Sequence, residues 1–168
     1  EVIIMRRNRV KVEGGAYYHV MSRCALQRYL LRGDGVEKEI FMKILRRSED
    51  FSGIKVINYC IMDNHFHLLI HVPMRQDVSD SELERRMRVL YGEKKADKII
   101  DKWKHLTEHG MTVVVERQKE AYRKRMYDLS EFVKTLKQRY SVWYCSNHEG
   151  IEGTIWQGIH VAKKMASL

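Results

Sequence analysis

The feature that most constrains the fold is the stretch from Cys60 to Ile70, in which two histidines interrupt an otherwise apolar segment. Because side chains alternate across a β-strand, this stretch predicts a strand with one apolar face and one face that carries histidines. The apolar face consists of Phe66, Leu68, Ile70 and Val72, and the opposite face of His65, His67, Leu69 and His71. An unpaired imidazole is costly to bury, so we expect the apolar face to pack against helices and the histidine face to stay open.

The spacing of the histidines indicates metal binding. His65 and His67 lie about 6.6 Å apart at a rise of roughly 3.3 Å per residue, so both rings can reach one metal ion. His71 lies about 13 Å beyond His67 by the same measure and is not expected to share that ion. A hydrogen-bonded histidine pair at the sheet surface is one alternative. A structural zinc site that adds Cys60 is another, although Cys60 also fits as a small apolar filler.

The segments on either side predict alternating strands and helices. Ala16–Arg23 is rich in aromatic and β-branched residues and predicts a first strand. Apolar residues at helical spacing predict a helix from Val36 to about Phe51, with Asp34 and Glu37 as a capping box and Gly53 as its end. Lys55 to Met62 predicts a second strand.

A tight turn is expected between the second strand and the histidine strand. Asp63 and Asn64 tolerate the left-handed backbone conformations that a two-residue hairpin turn needs. Such a turn would place Cys60 directly across from His67.

The next part of the chain, from Arg75 to Tyr127, is charged and predicts an inserted helical arm. Ser79 with Glu82 predicts a helix start, and glycines at 92 and 110 divide the run into three segments. Most of the arm's charges are expected to form a solvated helix surface. After the arm, Asp128 and Glu131 predict the start of a further helix. Its apolar stripe consists of Phe132, Leu136, Tyr140, Trp143 and Tyr144.

Composition narrows the class of protein. With 168 residues the chain is expected to form one domain, 1–168, with the arm as an elaboration at about 75–127. A net charge of +9 favours a polyanionic partner, most simply nucleic acid. Three cysteines without a C-x-x-C pair indicate neither a disulfide framework nor a zinc ribbon, so a reducing cytoplasm is expected. No apolar run approaches the roughly 20 residues of a membrane span, so no membrane partner is expected.

Taken in order, the motifs resemble those of the IS200-like single-tyrosine transposases, and of their REP-associated relatives in particular. The segments that carry the resemblance are Tyr17–Arg23, Met62–Ile70, Phe132–Tyr144 and Gly153–Gly158. They lie on both flanks of the charged arm and leave about 75–127 unmatched. One departure is Asp63, where the family usually has proline, and this changes the stiffness of the turn.

The resemblance implies a ferredoxin-like α+β domain of the HUH nuclease type, with an antiparallel sheet and helices packed on one face. It also implies a metal-dependent DNA transposase in which His65 and His67 hold Mg²⁺ or Mn²⁺. In that family a tyrosine attacks a phosphate of single-stranded or hairpin DNA, which leaves a 5′-phosphotyrosine link and a free 3′ hydroxyl. Because a phenol is a weak nucleophile at neutral pH, polarisation of the phosphate by a metal is chemically reasonable. A homodimer and a cytoplasmic, nucleoid-associated location are compatible with the resemblance.

Several residues outside the histidine pair are candidate DNA contacts. The basic residues before the first strand, which could grip phosphates or form a solvated terminus, are Arg6, Arg7, Arg9 and Lys11. Arg23, at the end of the first strand, is expected to reach the DNA-bearing face. Trp156 with Gln157 is expected either to contact an unpaired base or to contribute a core tryptophan.

The catalytic tyrosine is not identified. The family places it, with a further metal ligand, on a helix after the tryptophan motif, and no tyrosine follows Tyr144 in this sequence. A C-terminal segment beyond Leu168, a stretch missing between Trp156 and Leu168, and loss of cleavage are all open explanations. Tyr140 and Tyr144 are fallback candidates, although their place on the apolar stripe favours a structural role. A non-cleaving nucleic-acid-binding module of the same fold is therefore the alternative function.

Overall fold

The computed structural model describes residues 15–25, 28–32, 35–151, 155–157 and the backbone of 161–164. The strands are β1 (Ala16–Arg23), β2 (Lys55–Met62), β3 (His65–Val72) and β4 (Val161–Lys164). The helices are α1 (Val36–Ser52), α2 (Asp80–Tyr91), α3 (Glu93–Glu108), α4 (Thr112–Arg123) and α5 (Leu129–Asn147). None of these helices is both long and apolar enough to cross a membrane.

The strands form an antiparallel sheet in the order β2-β3-β1-β4. With α1 between β1 and β2 and α5 between β3 and β4, this order is the ferredoxin-like arrangement. The predicted α+β fold is therefore confirmed. Because β3 lies between β1 and β2, the histidine strand is an interior strand whose backbone is held from both sides.

The apolar face of β3 forms the centre of the main core. Phe66, Leu68 and Ile70 are completely buried among side chains of α1 and α5, and Val72 packs at the edge of the same cluster. Burial of these apolar side chains is the main force that holds the helices on this face. The prediction that the apolar face packs against helices is confirmed.

The hairpin between β2 and β3 has the predicted length and register. Asp63 and Asn64 form the two-residue turn, and Cys60 pairs across from His67. The predicted left-handed conformation is wrong, because Tyr127 is the one non-glycine residue of the described chain with a positive φ. The turn therefore does not depend on the tolerance of Asp and Asn for that region.

The helix caps were predicted in part. At α2, Ser79 Oγ accepts a hydrogen bond from the backbone N–H of Glu82 at 3.3 Å. At α5, the Asp128 carboxylate accepts hydrogen bonds from the backbone N–H groups of Ser130 and Glu131. The capping box at α1 is wrong. Gly35 is its N-cap and makes no side-chain hydrogen bond, while Asp34 lies outside the described residues.

The arm has a hydrophobic core of its own. Its buried side chains come from α2, α3, α4 and the turn after α4, and are completed by Phe51 at the end of α1. They include Leu83, Met87, Leu90, Ile100, Trp103, Val115 and Met126. The predicted helical character is confirmed, and the glycines at 92 and 110 lie at helix ends. That the arm is an insertion stays a prediction.

Candidate metal centre on the open face of the sheet

His65 and His67 lie side by side on the face of the sheet opposite the helices. Both rings are partly exposed, and their centroids are 5.2 Å apart in an edge-to-face arrangement. Their position and spacing agree with the sequence analysis. The alternation of β3 explains the arrangement, because the residue between them, Phe66, is buried on the other face.

Three contacts hold the turn that precedes the pair. The backbone N–H of Cys24 donates to the carbonyl of Asn64 at 2.8 Å, and that of Leu31 donates to the carbonyl of Asp63 at 2.8 Å. The ammonium of Lys38 lies 3.4 Å from the Asp63 carboxylate. The segment after β1 and helix α1 thus hold the turn in place.

The Asn64 side chain orients the first histidine. Nδ1 of His65 lies 2.6 Å from Oδ1 of Asn64. An amide oxygen only accepts hydrogen bonds, so Nδ1 carries the proton and Nε2 keeps its lone pair. Asn64 was predicted only as a turn residue, and its role at the site was missed. The adjacency of Asn64 to the histidine motif was the available signal.

His19 of β1 makes the corresponding contact to the second histidine. Nε2 of His19 lies 2.9 Å from Nδ1 of His67, and the two rings are stacked with centroids 5.1 Å apart. When His67 donates from Nδ1, its Nε2 is available as a ligand. The sequence analysis did not identify His19 as a residue of the site. The contact depends on the register of β1 against β3, which the sequence does not display.

The surroundings favour the uncharged form of His67. Partial burial lowers the pKa of His67 below its usual 6.5, and the nearby His19, His65 and Arg23 lower it further. A neutral imidazole is the form that binds a metal. The electrostatics of this face therefore favour the ligand form of His67 at neutral pH.

The residues present fit a metal held by two imidazole nitrogens. Both Nδ1 atoms are engaged, and both Nε2 atoms remain available for a shared ion. Among the described residues, no group of three His, Cys, Asp or Glu side chains is placed to hold a metal. His65, His67 and Cys60 therefore do not form a three-ligand group, which contradicts the structural zinc site that adds Cys60.

The candidate DNA contacts fall in different places. Arg23 is exposed on the histidine face, paired in register with His65. Gln157 is exposed, and its backbone N–H donates to the carbonyl of Arg23 at 2.8 Å. The residues Arg6, Arg7, Arg9 and Lys11 lie outside the described part of the chain.

Trp156 belongs to the core, which was one of its two expected roles. The side chain is 4% exposed, and Nε1 donates to the carbonyl of Lys137 at 3.0 Å. Its ring packs on Phe41 and Phe66 on the helix side of the sheet. The prediction that it stacks on an unpaired base is corrected, because neighbouring side chains already cover the ring.

Tyr140 and Tyr144 are also core residues, and the fallback assignment of either as the nucleophile is wrong. The Tyr140 hydroxyl donates to the carbonyl of Leu30 at 2.6 Å, and its side chain is completely buried. Burial raises the pKa of both phenols, which disfavours the phenolate. Both lie among the side chains that cover the apolar face of β3, so the sheet separates them from His65 and His67.

Comparison with known proteins identifies the family. A family model described as transposase IS200 like matches residues 13–112. This span differs from the one that the motifs suggested, because it includes α2 and α3 of the arm and excludes α5 and Trp156. No curated protein matches the chain at a significant level.

Two solved structures resemble this one at low sequence identity. One is a REP-associated tyrosine transposase bound to a REP hairpin, with 10% identity, a TM-score of 0.47 and coverage of 98% of this chain. The chain spans 64% of the length of that protein. The other is a candidate transposase from Deinococcus radiodurans R1, with 12% identity, a TM-score of 0.42 and coverage of 96% of this chain and 87% of the other. Since the family model spans more than half of the sequence, the chain belongs to the IS200-like transposase family.

Proposed function

We propose that this chain is a DNA transposase domain that binds single-stranded or hairpin DNA across the open face of the sheet. The observation that carries the proposal is the paired orientation of His65 and His67. Their Nδ1 atoms are engaged, while neither Nε2 atom has a hydrogen-bond partner within the described part of the chain. The net charge of +9 supports a polyanionic substrate. Family membership supports DNA as that substrate.

In this proposal each residue of the face has a distinct task. His65 and His67 hold a Mg²⁺ or Mn²⁺ ion, which when bound polarises a phosphate of the DNA. Asn64 and His19 keep the imidazoles in the tautomer that binds metal. Arg23 supplies a guanidinium for phosphate contact next to His65.

The tyrosine nucleophile of the family would come from outside the described residues. On the histidine face of the described strands, the tyrosine is Tyr17, which pairs with His71. His71 is about 13 Å from His67 along β3, so Tyr17 is too distant to attack a phosphate at the ion. We therefore do not assign the nucleophile to Tyr17, Tyr140 or Tyr144.

A second candidate function is a non-cleaving nucleic-acid-binding module with the same fold. The burial of Tyr140 and Tyr144 favours this alternative, because the described site holds metal ligands without a nucleophile. The alternative keeps the basic surface and the affinity for hairpin DNA, but forms no covalent link.

A covalent-adduct assay on the full-length protein tests the proposal and separates the two functions. The hairpin oligonucleotide carries a label at its 3′ end. After attack, the tyrosine is joined to the 5′ phosphate of the strand on the 3′ side of the cut, so the label stays on the protein. We expect a Mn²⁺-dependent labelled band that survives denaturation. It should disappear in the double variant His65→Ala/His67→Ala and persist in His71→Ala, the matched control on the same face.

The other results are equally informative. Hairpin binding without any adduct would contradict cleavage and establish the binding module. Absence of hairpin binding at 0.1 M salt would contradict both functions. A homodimer and a cytoplasmic, nucleoid-associated location stay predictions.

A further inference from the structure

A basic groove lies on the outer side of the helices, away from the histidine face. It is a cavity of about 910 Å³ between α1, α5 and three residues of the arm, Tyr91, Lys95 and Arg125. The side of α5 that lines it carries Lys134 and Gln138, which are exposed, whereas the opposite side of α5 packs on the sheet. The helix layer and the sheet therefore separate this groove from His65 and His67.

The charged side chains that line the groove are mostly cations. They are Lys43, Arg47, Lys95, Arg125, Lys134, Arg139 and the carboxylate Glu131. A concentration of like charge at one surface repels itself unless an anion binds there. The groove therefore favours an anionic ligand.

Internal ion pairs neutralise only part of this charge. Glu131 lies 3.4 Å from the ammonium of Lys134 and 3.7 Å from Arg125, so one carboxylate serves two cations. Neither Arg47 nor Arg139 has a carboxylate within 4.0 Å among the residues that the structure describes. These two guanidinium groups are available for an external anion.

Two of the arginines are held in place before any ligand binds. The guanidinium of Arg139 lies over the ring of Tyr91, 5.4 Å from its centroid. Arg125 donates to the hydroxyl of Tyr91, and also to Oγ1 of Thr135 at 3.1 Å. Fixed guanidinium groups lose little side-chain entropy when they bind phosphate oxygens.

The extent of the groove identifies the class of ligand. Its lining on α5 runs from Glu131 to Asn147, about 24 Å at 1.5 Å per residue, which is far longer than one phosphate. Trp143, which is half-buried, also lines it and offers part of its ring to an unpaired base. We propose that this groove binds the phosphodiester backbone of a nucleic-acid segment distinct from the one at the histidine face.

A charge-matched pair of triple variants tests this site. Lys43→Gln/Arg47→Gln/Lys134→Gln removes three exposed charges from the groove, and Lys98→Gln/Lys102→Gln/Arg117→Gln removes three exposed charges from the arm elsewhere. Binding of a fluorescent 30-nucleotide single strand and of a hairpin is measured by anisotropy between 0.05 and 0.3 M salt. We expect the groove variant to lose about 10- to 100-fold in affinity at 0.1 M salt, with a salt slope smaller by about 2, because each phosphate contact releases a counterion.

The control and two further measurements decide the outcome. The arm variant should stay within about threefold of the unmodified protein; an equal loss in both variants would show a net-charge effect and overturn the site. Tighter binding of a poly-glutamate peptide than of the oligonucleotide would overturn the nucleic-acid ligand. If the triple variant does not fold, the unmodified protein is photocrosslinked to an iodouracil-substituted strand. Crosslinks at Tyr91 or Trp143 support the proposal, and the absence of such crosslinks contradicts it.

Failure of this proposal is distinct from failure of the proposed function. Mn²⁺ binding, and adduct formation at saturating DNA, report on His65 and His67, and neither depends on the groove charges. A groove variant that keeps both while losing affinity for the strand supports this site alone.

Discussion

The two faces of β3 differ in what their residues do, although they alternate along the same eight residues. Phe66, Leu68 and Ile70 are inaccessible to water and hold α1 and α5 on the sheet. His65 and His67 are partly exposed and contact polar side chains from the turn and from β1. The comparison teaches that stability and chemistry are assigned to alternate residues, so each can be changed with little effect on the other.

The largest effect is expected on the apolar face. Phe66→Ala removes a ring that packs on Phe41 at 5.1 Å and on Trp156 at 5.6 Å between centroids. We expect the free energy of unfolding to fall by about 3–5 kcal/mol, because the cavity adds to the lost burial. Urea denaturation measures this. Leu69→Ala, on the open face, is the control, with an expected loss of about 1 kcal/mol; equal losses would abolish the contrast between the faces.

The next effect concerns the proposed metal ligands. His65→Ala or His67→Ala should lower the affinity for Mn²⁺ by more than about 100-fold, because each removes one of the two proposed protein ligands. The free energy of unfolding without metal should change by about 0.5 kcal/mol or less, since both rings are at the surface. Titration calorimetry and urea denaturation give the two values, and a large loss of stability would contradict the separation of roles.

A smaller effect is expected at the residue that orients His67. His19→Ala should weaken Mn²⁺ binding by about 10- to 100-fold, because loss of a partner that orients a ligand typically has this cost. His19→Gln keeps an acceptor near Nδ1 of His67 and should recover part of the affinity. Tyr17→Phe, on the same strand, is the control. Unchanged binding in His19→Ala would show that the 2.9 Å contact does not orient the ligand.

The smallest effect is on protonation. Arg23 contributes, after burial and the two neighbouring histidines, to the low pKa of His67, so Arg23→Gln should raise that pKa towards 6.5. Because protons compete with the metal for His67, Mn²⁺ binding by the unmodified protein should be steady above pH 6.5 and weaken as the pH falls below that value. In Arg23→Gln the weakening should begin at a higher pH than in the unmodified protein. NMR titration of the imidazole protons measures the shift. Arg28→Gln serves as an exposed control, and a fall in the pKa of His67 in Arg23→Gln would be the wrong sign.

The strands and most helices could be predicted because their signals are local. The bounds of β1, β2 and β3 follow from β-branched and apolar runs, and the Cys60–His67 register follows from the length of a two-residue turn. Ser79 and Asp128 cap their helices as predicted, since a cap involves residues three apart. The prediction of a capping box at α1 was wrong. Glu37 instead pairs with His148, which lies 3.2 Å away and 111 residues later in the chain.

The site could be predicted only where it depends on one strand. The spacing of His65 and His67 is a property of β3 alone, and it identified the pair. The roles of His19 and Trp156 were not accessible in this way. His19 reaches His67 through the pairing of β1 with β3, and Trp156 enters the core through contacts with α1, β3 and α5.

The sequence by itself determined the alternation of β3, and with it a water-facing histidine pair backed by an apolar core. That property needs no distant contacts, because the strand period places alternate side chains on opposite faces whatever the strand packs against. The tertiary structure alone decided which residues orient the histidines, that Tyr140 and Tyr144 are buried, and that cations from α1, α5 and the arm share one groove. These are contacts between segments far apart in the chain, and their geometry is set by helix packing and strand register rather than by local pattern.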